Sequence, residues 1–340
     1  MNEDHKPTEN QLVTPVSGAS NRPSNRSENL GAESRTVGGF SKNKGGDSIP
    51  LPGIPFRTAR PALVNCDVTR LSRKQLLKIE EHLSARDHAV LQAVRRYRFL
   101  TSDQIGRLYV TDCSTKASQT RNQNLLLKRL SDDGLIRPLA RRVGGYGGGS
   151  TVQVWSLTAA GYRLLTLNDP GEHARKRFAE PSTQFLRHTL AVAECAVQLT
   201  DICRDSEDLT LEAVETEPAC WRRFPDGGNV YFLKPDLFAI TTYENYEDRW
   251  FIEMDLGTEP VSQVVEKCDA YLRYYYSGVE QRDTGMFPLV VWIVPDEARK
   301  ERIKDSLREH FKAQPKMFLV ITPGELERMI RQFIDREEVL

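Results

Sequence analysis

Three carboxylates in this chain are spaced so that they could share one chemical task. Lys234-Pro235-Asp236 opens an apolar strand, Leu237-Phe238-Ala239-Ile240, and a second strand reads Trp250-Phe251-Ile252-Glu253-Met254-Asp255. Strand alternation puts Glu253 and Asp255 on one face and Met254 on the other. If the two strands pair as a hairpin, Asp236 stands beside that acidic face. Like charges a few ångströms apart cannot all stay ionised without a counter-charge. A divalent, oxygen-loving cation such as Mg²⁺ or Mn²⁺ meets that need, which makes Asp236, Glu253 and Asp255 candidate catalytic groups and metal ligands. The competing reading is two ordinary strands with charged, solvated faces.

The elements that would carry these residues can be read from the pattern of apolar positions. A helix is expected at about 183–203, strands near 209–216, 230–241 and 249–256, a helix at 260–276, a strand at 287–294, a helix at 296–311, a strand at 317–321 and a final helix. The unrelieved apolar run Phe287-Pro288-Leu289-Val290-Val291-Trp292-Ile293-Val294 suits a central strand covered on both faces. The expected architecture of 167–340 is a mixed α/β sheet. On the helix after the second acidic strand, Val261, Val264, Val265, Cys268, Leu272 and Tyr275 are expected to form the apolar face. Gln263, Lys267, Tyr271 and Tyr274 then stack on a neighbouring flank.

The first half of the chain reads differently. Residues 1–62 are rich in Ser, Asn, Gly and Pro, with few aromatics, and are expected to be a disordered arm. The acids Glu3, Asp4 and Glu9 argue against a transit peptide there. From Ser84 the signals are helical. Ser84 and Asp87 form a capping-box pattern ahead of Ala89, Val90, Ala93, Val94 and Tyr97. Thr101-Ser102-Asp103 caps a second helix carrying Ile105, Leu108 and Tyr109. Ser114 or Thr115 starts a third helix, which runs through Leu126, Leu127 and Leu130 to a stop at Gly134. Two strands follow around a glycine-rich tip, and Thr158 begins a fourth helix. Three helices and a hairpin make a winged helix-turn-helix over 63–166. Its third helix would enter the major groove of DNA, with Gln119, Arg121, Gln123, Asn124 and Lys128 offering base-edge or phosphate contacts, because the leucines occupy the opposite face. Arg141 and Arg142 flank the wing and suit contacts to the phosphate backbone.

Charge supports a polyanion partner for the first half alone. The chain holds 47 basic and 47 acidic residues. Residues 84–163 carry 13 Lys and Arg against 5 Asp, whereas 164–340 carry 22 basic and 33 acidic residues. A basic block followed by an acidic remainder fits a localised DNA interface rather than indiscriminate coating. The six cysteines include no Cys-x-x-Cys pair, and no secretory leader is read ahead of them, so reduced thiols in a cytoplasmic protein are expected. No apolar run approaches the ~18 residues of a membrane span.

The order helix, strand, strand with Asp, strand with Glu-x-Asp, helix, strand resembles the PD-(D/E)XK nuclease-like, restriction-endonuclease-like fold, on the signature Pro235-Asp236…Glu253-Met254-Asp255. The family's lysine two residues after the Glu is Asp255 here. Lys267, on the next helix, is the candidate replacement, placed to orient or deprotonate a water. Glu194, on the first helix of that domain, is a further candidate ligand by the same resemblance. His188 on that helix reads as a hydrogen-bonded residue at the edge of the core. The Tyr271–Tyr276 cluster reads as packing, with a tyrosine nucleophile as the alternative.

The combination YRFLTSDQIGRLY (97–109), VWSLTAAGYRLL (154–165), FLRHTLAVAE (185–194) and KPDLFAI…FIEMDLGTE (234–259) resembles the replication-relaxation family of plasmid and conjugative-element proteins. It is similar in plan to mobilisation relaxases built from a winged helix and a restriction-endonuclease-like domain. The resemblance implies plasmid DNA processing: binding of double-stranded DNA at an origin, then nicking or relaxation, with a second copy of the chain or other plasmid replication and transfer proteins as further partners. Two functions stay open on the residues alone. One is a metal-dependent nicking enzyme. The other is a non-catalytic DNA-binding accessory whose nuclease-like fold serves as a platform. A histidine-based relaxase is disfavoured, because no His-x-His pair occurs among the six histidines.

Overall fold

Reciprocal side-chain caps start four of the first helices. In the computed structural model, whose described residues are 71–140, 152–167, 180–244, 246–312 and 316–332, Ser72 and Gln75 cap α1 (Arg73–Glu80). Ser84 and Asp87 cap α2 (Ala85–Tyr97) as the sequence predicts, with Ser84 N–H donating to Asp87 Oδ2 at 2.9 Å. After β1 (Leu100–Thr101), Thr101 and Gln104 cap α3 (Ser102–Tyr109). Thr115, not Ser114, caps α4 (Lys116–Asp132). Each such box satisfies backbone donors that the first helical turn leaves open. Gly134 takes the left-handed backbone, φ +70, expected just past a helix end. Strands β2 (Ile136–Pro138) and β3 (Val154–Leu157) join β1 in a three-stranded sheet ordered β1-β3-β2, and α5 (Ala159–Leu165) follows. The three helices, the two hairpin strands and the fourth helix expected here are present, with α1 in addition. The wing tip with Arg141 and Arg142, and the arm 1–62, lie outside the described residues.

Among the described residues the second half is built on α6 (Thr183–Arg204) followed by β4 (Leu209–Thr216), β5 (Arg222–Asp226), β6 (Asn229–Leu233), β7 (Leu237–Tyr243), β8 (Tyr246–Met254), α7 (Val261–Ser277), α8 (Val279–Thr284), β9 (Leu289–Ile293), α9 (Glu297–Phe311), β10 (Phe318–Ile321) and α10 (Leu326–Gln332). Five strands form one mixed sheet in the order β10-β9-β8-β7-β4. Strands β8, β9 and β10 are parallel neighbours, while β7 runs antiparallel to both β8 and β4. Helix α6 covers one face over Trp250, Ile252 and Val291. Helices α7 and α9 cover the other over Phe238, Phe251, Val290 and Trp292. Fully burying a side chain of this size contributes roughly 1.5–3 kcal/mol, so these two layers hold the sheet's centre rigid. The first core continues through α6 into the N-terminal helices, joining Leu76 to Ile330, and Asn65–Leu340 is one compact unit.

Three details depart from the sequence expectation. The strand expected at 230–241 is two strands, because Pro235 has no N–H for a ladder and ends β6 before β7 begins. The freed strand β6 pairs with β5, which the sequence reading omitted, around Gly227-Gly228, both at positive φ. Helix α7 is also rotated from its expected setting. Tyr271 and Tyr274 are buried with Val264 and Cys268, and Tyr275 faces solvent.

Candidate functional site

Register brings Asp236 and Glu253 to the same side of the sheet. Leu237 pairs with Ile252 and Phe238 with Phe251. Directly opposed residues on antiparallel strands share a face. One step further along, Asp236 and Glu253 therefore both turn toward α7. Asp236 precedes the first residue of β7, and its Oδ2 accepts the Met254 N–H at 2.8 Å. His188 of α6 reaches the same oxygen through Nε2 at 3.1 Å. Among the described residues, Asp236 Oδ1 accepts no hydrogen bond.

Glu253 is 1% exposed and doubly held from α7. Lys267 Nζ donates to Oε2 and the Tyr271 hydroxyl donates to Oε1, both at 2.5 Å. Lys267 and Tyr271 stand one helical turn apart, so one face of α7 grips both carboxylate oxygens. Lys267 thus stands beside Glu253 in the same cleft. A nucleophilic role for Tyr271 is not realised, since its ring is buried and its hydroxyl is bonded inward.

The environments push the two carboxyls apart. Burial opposes ionisation of Asp236, but the His188 hydrogen bond, the Lys267 charge and the Met254 N–H outweigh it and hold its pKa below the ordinary range. Burial dominates at Glu253 and raises it to about 8 despite Lys267, with the Asp236 charge adding to the rise. The Lys267 ammonium is also disfavoured by burial, yet Glu253 and Asp236 more than compensate and raise its pKa. The hydrogen bond to Asp236 raises His188 against the opposing effect of burial. One arrangement satisfies all four shifts: Asp236 ionised, Lys267 protonated, and Glu253 the carboxyl that releases its proton late. The group opens into a cleft of about 430 Å³, walled in part by Gln184, Thr258 and Gln263.

The other two expected ligands are engaged elsewhere. Asp255 borders the cleft, but its Oδ2 accepts from Arg299 Nε at 2.6 Å and its Oδ1 from Gly257 N–H at 2.9 Å. Arg299, on α9, is buried beside it and also donates to the Glu259 carbonyl at 2.8 Å. Glu194 lies roughly two-thirds of a turn round α6 from His188. It faces α3 and accepts from Gln104 at 3.0 Å and Arg107 at 2.6 Å. Among the described residues, no three His, Cys, Asp or Glu side chains converge to hold a metal. The three-carboxylate site expected from the sequence is therefore reduced to a pair. Mg²⁺ is commonly held by one or two carboxylates with water and substrate phosphate completing the shell. Asp236, with a free oxygen, and Glu253 meet that smaller requirement, provided the cation shares Glu253 with Lys267.

The candidate DNA-contacting residues of α4 also divide. Gln123 is buried, and a Cβ at Gly106 would stand 2.0 Å from its Oε1. Gln119 donates to the carbonyls of Val110 at 2.9 Å and Gly106 at 3.2 Å. Both therefore belong to the α3–α4 packing face, one turn apart with Leu126, Leu127 and Leu130. Arg121, Asn124 and Lys128 remain exposed and line one shallow surface with Lys116 and Thr120. Lys128 also pairs with Asp132 at 2.6 Å. Sequence reasoning missed Arg299 and the hold of His188 on Asp236. Their only signal was that buried acids need partners.

No curated protein matches the chain. One solved structure is similar, the restriction endonuclease FokI bound to DNA, at 13% identity and a TM-score of 0.23; the match covers 80% of this chain and 48% of that one, about half its length. Residues 91–290, from α2 into β9 and including Asp236, Glu253 and Lys267, match the Replication-relaxation family. Because that match takes in well over half of the sequence and both halves of its fold, the chain belongs to the Replication-relaxation family.

Proposed function

We propose that this protein processes plasmid or mobile-element DNA in replication or transfer, binding double-stranded DNA at an origin through a winged helix-turn-helix and nicking or relaxing it at a restriction-endonuclease-like site. The observation that carries this reading is that Asp236 and Glu253, with Lys267 bonded to Glu253, line one cleft in the same compact unit as the exposed face of α4. Arg121, Asn124 and Lys128 would meet the duplex, Arg121 and Lys128 as phosphate or base contacts and Asn124 as a base reader. Asp236 and Glu253 would hold Mg²⁺ or Mn²⁺. Such a cation, when bound, supplies charge neutralisation at the reacting phosphate and acidifies a water.

The chain's own groups do the rest. His188 and the Met254 N–H fix the orientation of Asp236. Tyr271 fixes Glu253. Lys267, bonded to Glu253 and near the ionised Asp236, acts as a resident positive charge for phosphate oxygens rather than as the base suggested by the sequence. Glu253, raised to about 8 by burial, is the carboxyl that would give up its proton as positive charge arrives. A second reading is favoured by one observation: both Glu253 oxygens already have donors, as in a closed, inert platform. In that case the protein is a DNA-binding accessory.

Melting temperature in Mn²⁺ or Mg²⁺ separates the two. A saturating cation at about 100 times its Kd stabilises by about 2.7 kcal/mol. The active reading expects that rise in wild type and in Asp255→Asn, and its loss in Asp236→Ala. An unchanged wild-type melting point at millimolar metal would leave the accessory reading.

A further inference from the structure

Strand β6 runs directly into Pro235 and Asp236, and the ribbon it forms with β5 has two unlike faces. Register pairs Arg222 with Leu233, Arg223 with Phe232, Phe224 with Tyr231, and Pro225 with Val230. Alternation sorts Arg222, Phe224, Tyr231 and Leu233 onto one side. Most of that side is packed: Phe224 and Leu233 are buried, Phe224 lies tilted against Tyr274 with ring centroids 5.2 Å apart, and Arg222 is tied to Glu215 at 3.3 Å. The opposite side carries Trp221, Arg223, Pro225, Val230, Phe232 and Lys234.

None of these six residues is acidic, although residues 164–340 are strongly acidic as a whole; at the edge of the face Glu217 accepts the Trp221 Nε1–H at 3.3 Å. Phe232 is 55% and Val230 51% exposed. Lys234 Nζ lies 4.6 Å from the centroid of the Trp221 ring, and Arg223 stands opposite Phe232 across the ribbon. Among the described residues neither Arg223 nor Lys234 has an ion-pair partner, in contrast to Arg222 behind them. An exposed ring, Phe232, beside the half-buried Trp221 and two unpaired cations complements a chain that offers phosphates and open base faces together. A duplex could satisfy the cations, but its stacked bases offer no face to Phe232.

We propose that the outer face of the β5–β6 ribbon binds single-stranded DNA and leads it toward Asp236. This rests on the DNA-processing reading above, in which nicking or relaxation exposes a strand beside the cleft. Phe232 stacks on a base, while Arg223 and Lys234 neutralise the adjoining phosphates.

The test is fluorescence anisotropy of the full chain with a labelled oligothymidine and, separately, a labelled mixed-sequence duplex. Phe232→Ala should weaken oligothymidine binding about tenfold, and Phe232→Trp should restore it. Arg223→Ala with Lys234→Ala should lower the salt slope for oligothymidine by roughly 1.4, at about 0.7 per phosphate contact. Duplex affinity should stay within about twofold in every variant, and the melting temperature should not move, since these side chains are exposed. If wild type binds duplex but not oligothymidine, the ribbon proposal fails and the DNA-processing reading stands. If neither is bound, both fail. Equal weakening for both ligands would overturn the single-strand assignment and make the ribbon a duplex contact, and unchanged oligothymidine affinity in the variants would remove the ribbon from the interface.

Discussion

Replacing Arg299 with Met would leave Asp255 buried without its cation. The two side chains are 6% and 5% exposed, and the Arg299 guanidinium donates three hydrogen bonds: Nε to Asp255 Oδ2 at 2.6 Å, Nη2 to Asp255 Oδ1 at 3.3 Å, and Nη2 to the Glu259 carbonyl at 2.8 Å. Removing one member of a buried pair costs about 3–5 kcal/mol, because the remaining charge has neither water nor partner. At about 2–3 °C per kcal/mol for a domain of this size, Arg299→Met should melt roughly 6–15 °C below wild type. Asp255→Asn/Arg299→Met should regain much of the loss. A neutral Asn can still accept the Gly257 N–H, and no lone charge remains. Calorimetric or circular-dichroism melting at neutral pH would measure all four members of the cycle. A loss below about 1 kcal/mol for Arg299→Met, or a double variant no more stable than the single one, would refute the pairing. Asp255 would then be free to serve the cleft as a third carboxylate.

Gly161→Ala should destabilise by about 1–3 kcal/mol in urea unfolding. An added Cβ would lie 2.1 Å from the Leu135 carbonyl oxygen, a backbone atom, and the overpacking outweighs the helix-propensity gain of up to about 1 kcal/mol. Stability should fall as pH rises from about 4.5 to about 8. Across that window native Glu253 keeps a proton the unfolded chain has lost, and the raised pKa of His188 acts in the same direction. Glu253→Gln should flatten that slope in melts taken across pH. In DNA-binding titrations against salt, Arg121→Ala should reduce the slope by about one if it holds a phosphate. Gln123→Ala should instead lower the melting temperature, since its amide is buried in the α3–α4 contact.

Local signals carried well from sequence to structure. Capping pairs such as Ser84 with Asp87 are settled within three residues, and the Pro235 break could have been read from the missing N–H. The Gly227-Gly228 turn was a legible hairpin signal between Arg222 and Leu233. Alternation correctly put Asp236 and Glu253 together, because strand parity needs only a register. What was not legible depends on distant partners. Arg299 meets Asp255 across 44 positions and His188 meets Asp236 across 48, and nothing in the local pattern assigns them. Gln119 and Gln123 look like surface amides until the backbone carbonyls of α3 are in place to accept from Gln119. The run Tyr274-Tyr275-Tyr276 leaves the rotation of α7 ambiguous. The sheet resolves it, because Phe251 and Phe224 offer ring contacts to Tyr274.

Nicking of supercoiled plasmid carrying a replication or transfer origin, with Mg²⁺ or Mn²⁺ and with chelator, tests the central claim most directly. Wild type should convert supercoiled to open-circular DNA only with the divalent cation. Asp236→Asn and Lys267→Met should lose that conversion while still binding duplex, and Asp255→Asn should keep it. Absence of open circles from wild type under every divalent cation, or equal conversion by Asp236→Asn, would contradict the assignment of Asp236, Glu253 and Lys267 as a nuclease-like site.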